Sequence, residues 1–323
     1  LRRQLKILPN ASAEQSSAST LIFEALAQGF QYRPDLMTEL LNQITSTVDS
    51  SEHSVADIFL LLCANLAPHN KVKITNTIRK KILHRIIGHE LVKDSIENLG
   101  EQIRILVPSF LGLADSLLRA PELPCRELGG TIYEALFFEL KDLMARQEIV
   151  AQLTTHVGSG SSNEVDCAMS VLQQITVQDS AKLKPFSAFV TSMLDSLSNM
   201  TLPQIRRLFV TLFTLADDTD GDDVRIVIRK HLSHANVRMK RIGIIGVTAF
   251  AVSKSLTLRK DNRQMATIVS LETGVAFPAE RLQFAEDSNN NIPSEDGNAA
   301  TSGDDVIKVF GEIKAMLELA HDN

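Results

Sequence analysis

Aromatic residues and long apolar runs are scarce in this sequence of 323 residues. It has no tryptophan and two tyrosines, and aromatic residues make up 5% of the chain although 44% of it is hydrophobic. A hydrophobic fraction made mostly of Leu, Ile and Ala favours helices over sheets. The longest nearly apolar run, 242–252, is too short to span a bilayer, so we expect no membrane partner.

Cysteines and positive charge are also limited. Cys63, Cys125 and Cys167 lie far apart in apolar segments, which is typical of reduced core residues in an intracellular protein. The net charge is −6, so any contact with nucleic acid must come from a local basic patch. We find no nucleophile–base motif, no paired catalytic carboxylates and no zinc-ligand spacing. The sequence therefore predicts a protein that is not an enzyme and uses no cofactor.

Amphipathic helical segments with short connections follow one another along most of the chain. They predict an all-α fold, an α-solenoid of stacked antiparallel helix pairs whose repeats are degenerate, because no fixed period is visible. The chain does not begin with Met, and we expect it to be an internal piece of a longer protein. The expected domains are a flexible linker at 1–18, the solenoid segment at 19–252, a largely disordered insert at 253–304 and a terminal helix at 305–323.

Local signals mark several helix ends. Ser54 with Asp57, and Thr201 with Gln204, have the spacing of capping boxes. Gly88 is expected to stop a helix that runs from Val72 to Ile87. This helix carries six cations and no acid, so it could follow a phosphate backbone, although a solvated face explains the charges equally well. The six possible DNA-binding residues are Lys71, Lys73, Arg79, Lys80, Lys81 and Arg85.

The stretch Asp222–Lys254 organises the rest of the chain. A basic segment is followed by the apolar run, which predicts a buried helix, and Lys240 lies where the two meet. Such a lysine is either a surface residue with a buried stem or a reactive site. Arg238 and Arg241 are its neighbours in sequence, and Arg229 is expected near it across the helix pair. These charges and partial burial disfavour the ammonium form, which would make Lys240 a better nucleophile.

Two residue pairs in this stretch have a structural interpretation. Gly243 and Gly246 are three residues apart and favour the close approach of a neighbouring helix over nucleotide binding. His231 and His234 could share a helical face, but no third ligand accompanies them. Surface or capping roles are therefore expected for both histidines.

Three segments carry a resemblance to a known family. They are QEIVAQLTTHVGSGSSNEVDCAMSVL at 147–172, LPQIRRLFVTLFTLA at 202–216 and DDVRIVIRKHLSHANVRMKRIGIIG at 222–246. The run V-I-R-K-x-L-S followed by K-x-I-G-I-I-G is the most specific part. The chain resembles the Fanconi anaemia group D2 family over these segments, more weakly back to Leu21, and departs from it after Ala249.

The resemblance implies a function that the composition does not show. The family consists of large, nuclear α-solenoid proteins of interstrand-crosslink repair, which pair with their Fanconi group I paralogue. A RING-type ubiquitin ligase complex attaches one ubiquitin to a lysine that corresponds to Lys240, and the modified pair encloses double-stranded DNA as a clamp. The family is the substrate of this reaction and does not transfer ubiquitin itself.

Two further expectations follow. A sliding-clamp-binding motif assigned to the family corresponds to 203–210, but here the leading Gln and the second aromatic residue are missing. We interpret this segment as an ordinary amphipathic helix. The alternative to the repair function is a generic α-solenoid scaffold for protein interactions, which would have neither a defined modified lysine nor a dependence on DNA.

Overall fold

A computed structural model describes residues 13–47, 49–50, 53–97, 103–216, 222–258, 311 and 313–315. Regular structure in these ranges is helical, without a β-strand, which confirms the all-α class. Two 3-10 helices, at Lys184–Phe186 and Met193–Asn199, accompany the α-helices. The α-helices are α1 (Ala13–Tyr32), α2 (Pro34–Ser46), α3 (Val55–Asn65), α4 (Lys71–Leu83), α5 (His89–Glu97), α6 (Ile103–Leu118), α7 (Leu123–Glu139), α8 (Leu143–Val157), α9 (Ser162–Leu183), α10 (Ser187–Ser192), α11 (Leu202–Leu215), α12 (Asp222–Leu232) and α13 (Val237–Leu258).

The chain divides into two compact units. The first comprises 1–178 and 188–199, and the second comprises 179–187 and 200–323. Consecutive helices pack as pairs within each unit, such as α6 with α7 in the first and α12 with α13 in the second. This pairing is what the predicted solenoid architecture requires. In α9 the backbone of Asp179 is not helical (φ −158°, ψ 84°), and the boundary between the units falls at this bend.

The structure places the predicted domain limits differently in two places. The helix α1 already begins at Ala13, inside the predicted linker, because Ala, Glu and Gln are good helix formers. The helix α13 continues to Leu258, into the predicted insert. Residues 1–12 and 259–304 lie outside the described residues. Of the predicted terminal helix, residues 311 and 313–315 are described, and they are helical.

Both predicted capping boxes are confirmed. The backbone N–H of Ser54 donates to Oδ2 of Asp57 at 3.0 Å, at the start of α3. The backbone N–H of Thr201 donates to Oε1 of Gln204 at 2.8 Å, at the start of α11. In both boxes the first side chain also accepts from the backbone of the third helical residue, so donors that a helix start leaves open are satisfied.

The predicted helix end at Gly88 is wrong, because α4 already ends at Leu83. Arg85 adopts a left-handed conformation with φ 57°, and the N–H groups of Arg85 and Ile86 donate to carbonyls in the last turn of α4, each at 2.9 Å. This is a Schellman motif with an arginine in the position where glycine is favoured. The helix therefore closes before the glycine is reached.

A buried polar network joins consecutive helices of the first unit. His156 on α8 is fully buried, and its Nδ1 lies 2.6 Å from Oε1 of Glu164 on α9. Its Nε2 lies 3.2 Å from the hydroxyl of Tyr133 on α7 and 3.4 Å from Oδ1 of Asp115 on α6. The Tyr133 hydroxyl also donates to Gln152 at 2.9 Å. Each buried polar group in the network has a hydrogen-bond partner, so its burial carries little free-energy penalty. The network therefore fixes the relative positions of α6, α7, α8 and α9.

Candidate functional site

The helices α12 and α13 meet in a turn, 233–236, that is closed on both sides. The hydroxyl of Ser233 donates to the carbonyls of Arg229 at 3.1 Å and Lys230 at 3.2 Å, at the end of α12. Oδ1 of Asn236 accepts from the backbone N–H of Arg238 at 2.8 Å and so caps the start of α13. Nδ1 of His234 accepts from the backbone N–H of Asn236 at 3.0 Å. This histidine therefore binds a backbone group of the turn, in line with the capping role expected for it.

Two glycines bring α13 directly against α12. A Cβ added at Gly243 would lie 2.9 Å from the backbone N of Leu232 and 2.8 Å from its Cγ. A Cβ added at Gly246 would lie 2.5 Å from Cγ1 of Ile228. The predicted close approach is therefore confirmed. Since Gly243 meets the end of α12 and Gly246 meets the preceding turn, the two helices are antiparallel.

Lys240 occupies the first turn of α13 and is half-buried. Its backbone N–H donates to the carbonyl of Asn236 at 3.1 Å, so the backbone position is fixed by the capped turn. Within the described ranges, its ammonium group has neither a hydrogen bond nor an ion pair. The first turn of α13 carries no acid, and the helix dipole does not favour a cation at this end. The backbone is thus held in place while the ammonium stays available to a partner from outside.

The predicted neighbours of Lys240 lie at the same end of the helix pair. Arg238 has an internal role, because its guanidinium donates to the carbonyl of Met200 at 3.1 Å and so connects α13 with the segment that leads into α11. Arg229 and Arg241 are exposed, and neither side chain has an ion pair or hydrogen bond with any described residue. His231 faces partly inward. Burial lowers its pKa below the ordinary value, and the nearby cations lower it further.

The apolar run of α13 is not buried on all sides, contrary to the expectation from its composition. Ile242, Val247 and Phe250 are in the core, but Ile244, which lies within the run, is 42% exposed. The centre of the Phe250 ring lies 5.2 Å from that of the Phe213 ring, and the guanidinium carbon of Arg225 lies 5.2 Å from the centre of the Phe250 ring. Only one face of the helix therefore serves as the anchor that positions Lys240.

The six cations predicted on α4 do not form one exposed set. Arg79 makes a two-pronged contact with the carboxylate of Glu122, at 2.8 and 3.0 Å. Lys81 is 6% exposed, and its ammonium group donates to the carbonyls of Thr45 and Thr47, at the end of α2. The charged groups of both residues therefore bind other groups of this protein. The other four residues are exposed, and their side chains have no ion pair within the described ranges: Lys71, Lys73, Lys80 and Arg85.

A sequence signal could have identified Lys81 as internal. Ile74, Ile78 and Lys81 are spaced by four and three residues, so they share one helical face, and both isoleucines are buried. No comparable signal exists for Arg79, because its partner Glu122 is distant in sequence and meets it only through tertiary packing.

The segment that corresponds to the sliding-clamp motif lies in α11 and forms the expected amphipathic helix. Ile205, Leu208 and Phe209 are fully buried. A partner could reach these side chains only if α11 left the core of its unit. The structure therefore explains this apolar pattern by internal packing.

The sequence was compared with known proteins and families. A family model described as "Fanconi anaemia protein FancD2 nuclease" matches residues 3–291. The chain belongs to the FancD2 family. It is 30% identical over 268 residues to the Fanconi anemia group D2 protein of Gallus gallus, which covers 79% of this chain and 19% of the relative. It is 28% identical over 281 residues to the group D2 protein homolog of Mus musculus, covering 83% of this chain and 19% of the relative.

Membership of the FancD2 family connects this chain with the Fanconi anaemia pathway, and the chain spans about a fifth of the length of these relatives. The description of the family includes the word nuclease, whereas the sequence predicts a segment without catalysis, and this stays a prediction. In the described part of the chain, no three His, Cys, Asp or Glu side chains are grouped to hold a metal ion. No helix described there is long and apolar enough to cross a membrane.

Proposed function

We propose that this chain is the ubiquitin-accepting segment of a non-catalytic DNA-repair clamp subunit. Lys240 receives a single ubiquitin from a RING-type ubiquitin ligase complex, in the nucleus. The subunit pairs with its Fanconi group I paralogue, and the pair encloses double-stranded DNA during interstrand-crosslink repair. One observation carries the proposal. The backbone of Lys240 is fixed by the capped turn, while its ammonium group has no partner among the described residues.

The reaction needs an amine that is both positioned and free. After loss of a proton, Nζ of Lys240 attacks the thioester carbonyl that links ubiquitin to the conjugating enzyme. An isopeptide bond forms, the thioester bond breaks, and the cysteine thiol of the enzyme leaves. A fixed helix start reduces the orientational freedom that the two proteins must lose to reach this geometry. The contacts of Gly243 and Gly246 with α12 supply this rigidity.

The test is a reconstituted conjugation assay on the full-length protein with its paralogue, the ligase complex, ubiquitin and duplex DNA. Lys240→Arg keeps the charge and the length of the side chain but removes the nucleophilic amine, so the product with one ubiquitin should disappear. Lys230→Arg is the matched control, since Lys230 is exposed in the last turn of α12, and it should react like the wild type. A product that persists in Lys240→Arg would favour the generic scaffold.

A second part of the proposal concerns the DNA path. We propose that exposed cations of α4 contact phosphates, which is supported by the exposure of Lys73 and Lys80 and by their spacing of seven residues, which puts them on one face. Replacing both with Gln should reduce the slope of log K against log salt concentration by about 1.8, from a contribution of about 0.9 for each phosphate contact. Lys81→Gln would test the fold instead of the DNA contact, because its ammonium is buried. A slope equal to that of the wild type would show that α4 presents only a solvated face.

A further inference from the structure

The side of α13 that carries Lys240 also presents two apolar side chains to solvent. Val237 is 64% exposed and Ile244 is 42% exposed, although both residues are apolar and β-branched. Val237 precedes Lys240 by three residues and Ile244 follows it by four, which is about one helical turn in each direction. We name these three residues the acceptor face: Val237, Lys240 and Ile244. The proposed acceptor therefore lies between two apolar side chains that the described part of the chain leaves partly uncovered.

The contact of α12 with α13 fixes the direction in which the acceptor face points. Gly243 meets Leu232 on α12. At about 100° of rotation per residue, Lys240 lies about 60° and Ile244 about 100° from Gly243 around the helix axis, in the same sense. Ile242 lies about 100° from Gly243 in the opposite sense, and it is fully buried. Lys240 and Ile244 therefore lie together on the side of α13 that is turned away from the core.

An exposed isoleucine of α12 provides a contrast. Ile226 is 59% exposed, and it precedes Ile228, which meets Gly246, by two residues. Two residues correspond to about 200° around the helix axis, so Ile226 points away from α13 and from the acceptor face. Ile244 thus differs from Ile226 in its position beside Lys240 and not in being exposed.

The geometry of the proposed reaction determines which partner covers the acceptor face. The thioester carbonyl that carries ubiquitin must come within about 3–3.5 Å of Nζ of Lys240. Ile244 is displaced from Lys240 by about 6 Å along the helix axis, which is similar to the reach of a lysine side chain with its four-carbon stem. A protein surface that brings a thioester to Nζ therefore also comes into range of Ile244. The paralogue would shield Nζ from the thioester if it covered the same face.

We infer that Ile244, together with Val237, is a binding contact for the ubiquitin-charged conjugating enzyme at the acceptor. The inference rests on the proposed function and deepens it by naming side chains beside Lys240 that the enzyme binds. The enzyme surface around the active cysteine has to be apolar where it covers Ile244, because removal of exposed apolar surface from water stabilises the complex. Ile244 itself takes no part in the bond that forms.

The experiment uses the full-length protein with its paralogue, the ligase complex and duplex DNA, and conjugating enzyme that has been charged with ubiquitin in advance. The rate of transfer of one ubiquitin is measured at a series of concentrations of the charged enzyme. Ile244→Ser should raise KM about three- to ninefold at unchanged kcat, because the exposed 42% of the isoleucine no longer contributes to binding. Val237→Ser should change KM in the same direction.

Two variants serve as controls. Ile226→Ser makes the same replacement at an exposed position of α12 that points away from the acceptor face, and it should keep the KM of the wild type. Ile244→Leu retains an apolar side chain and should also keep it. Thermal unfolding compares the two serine variants, which should have the same Tm.

A KM of Ile244→Ser equal to that of Ile226→Ser would overturn the inference. A lower kcat at unchanged KM, or a Tm below that of Ile226→Ser, would assign Ile244 to the chemistry or to the packing of α13 and also contradict it. Loss of the complex with the paralogue on gel filtration would show that the paralogue covers this face, with the same consequence. None of these results affects the proposed acceptor, which fails only if Lys240→Arg is still modified.

Discussion

Replacing Gly243 with alanine should destabilise the protein, although alanine is the better helix former. Gly243 lies inside α13, three residues after Lys240. The new Cβ would be 2.9 Å from the backbone N of Leu232 and 2.8 Å from its Cγ and Cδ2, closer than such atoms normally come. Because a backbone atom is involved, rotating a side chain cannot remove the clash, and α12 and α13 must move apart.

The net effect follows from two opposing contributions. Overpacking a tight contact costs about 1–3 kcal/mol, and the upper half of that range applies where the backbone must shift. The change from Gly to Ala within a helix returns about 1 kcal/mol. The expected net loss is therefore about 1–2 kcal/mol in the free energy of unfolding. At roughly 2–4 °C per kcal/mol for a domain of 150–250 residues, the Tm should fall by about 2–8 °C.

Thermal unfolding followed by circular dichroism tests this value, with Gly112→Ala as the matched control. Gly112 also lies inside a helix, but its Cβ would meet only the free end of Lys71, at 3.3 Å from Nζ. This alanine should gain the helix propensity without a clash and raise the Tm. A Gly243→Ala variant that is as stable as Gly112→Ala would refute the argument that close packing of α13 on α12 positions Lys240.

Three further predictions concern other parts of the chain. His156→Ala should cost about 3 kcal/mol or more, measured by urea unfolding, because Glu164 and Tyr133 each lose a buried partner; a loss below 1 kcal/mol would contradict the importance of the network. Arg85→Gly should stabilise the protein by about 1 kcal/mol and Arg85→Gln should not, since only glycine relieves the left-handed backbone; equal stabilities would contradict this. Burial raises the pKa of the Cys63 thiol to about 12, so iodoacetamide should alkylate it at pH 8 only after unfolding, and rapid reaction of the folded protein would be inconsistent with the structure.

Local rules predicted the features that depend on neighbouring residues. The two capping boxes and the close approach at Gly243 and Gly246 follow from spacing alone, because their partners lie within one helix or one helix pair. The sequence also placed Lys240 where the basic segment meets the apolar run, and its role as an acceptor stays a prediction.

Features that depend on distant residues could not be predicted. The pairing of Arg79 with Glu122 and the contact of Lys81 with carbonyls at the end of α2 require tertiary structure. Composition also overstated the burial of α13, because Ile244 is apolar and yet lies on the exposed face. At the end of α4, Arg85 takes the left-handed position that sequence rules assign to glycine, since the other bonds of the turn outweigh the strain.

The central claim is that one lysine, Lys240, accepts ubiquitin, and mass spectrometry of the full-length protein tests it most directly. Cells are treated with a DNA-crosslinking agent, the protein is purified, and peptides with the Gly-Gly remnant of ubiquitin are mapped on the wild type and on Lys240→Arg. We predict the remnant on Lys240 in the wild type and no product with a single ubiquitin in the variant. A remnant on Lys230 or another lysine, with Lys240 unmodified, would contradict the account.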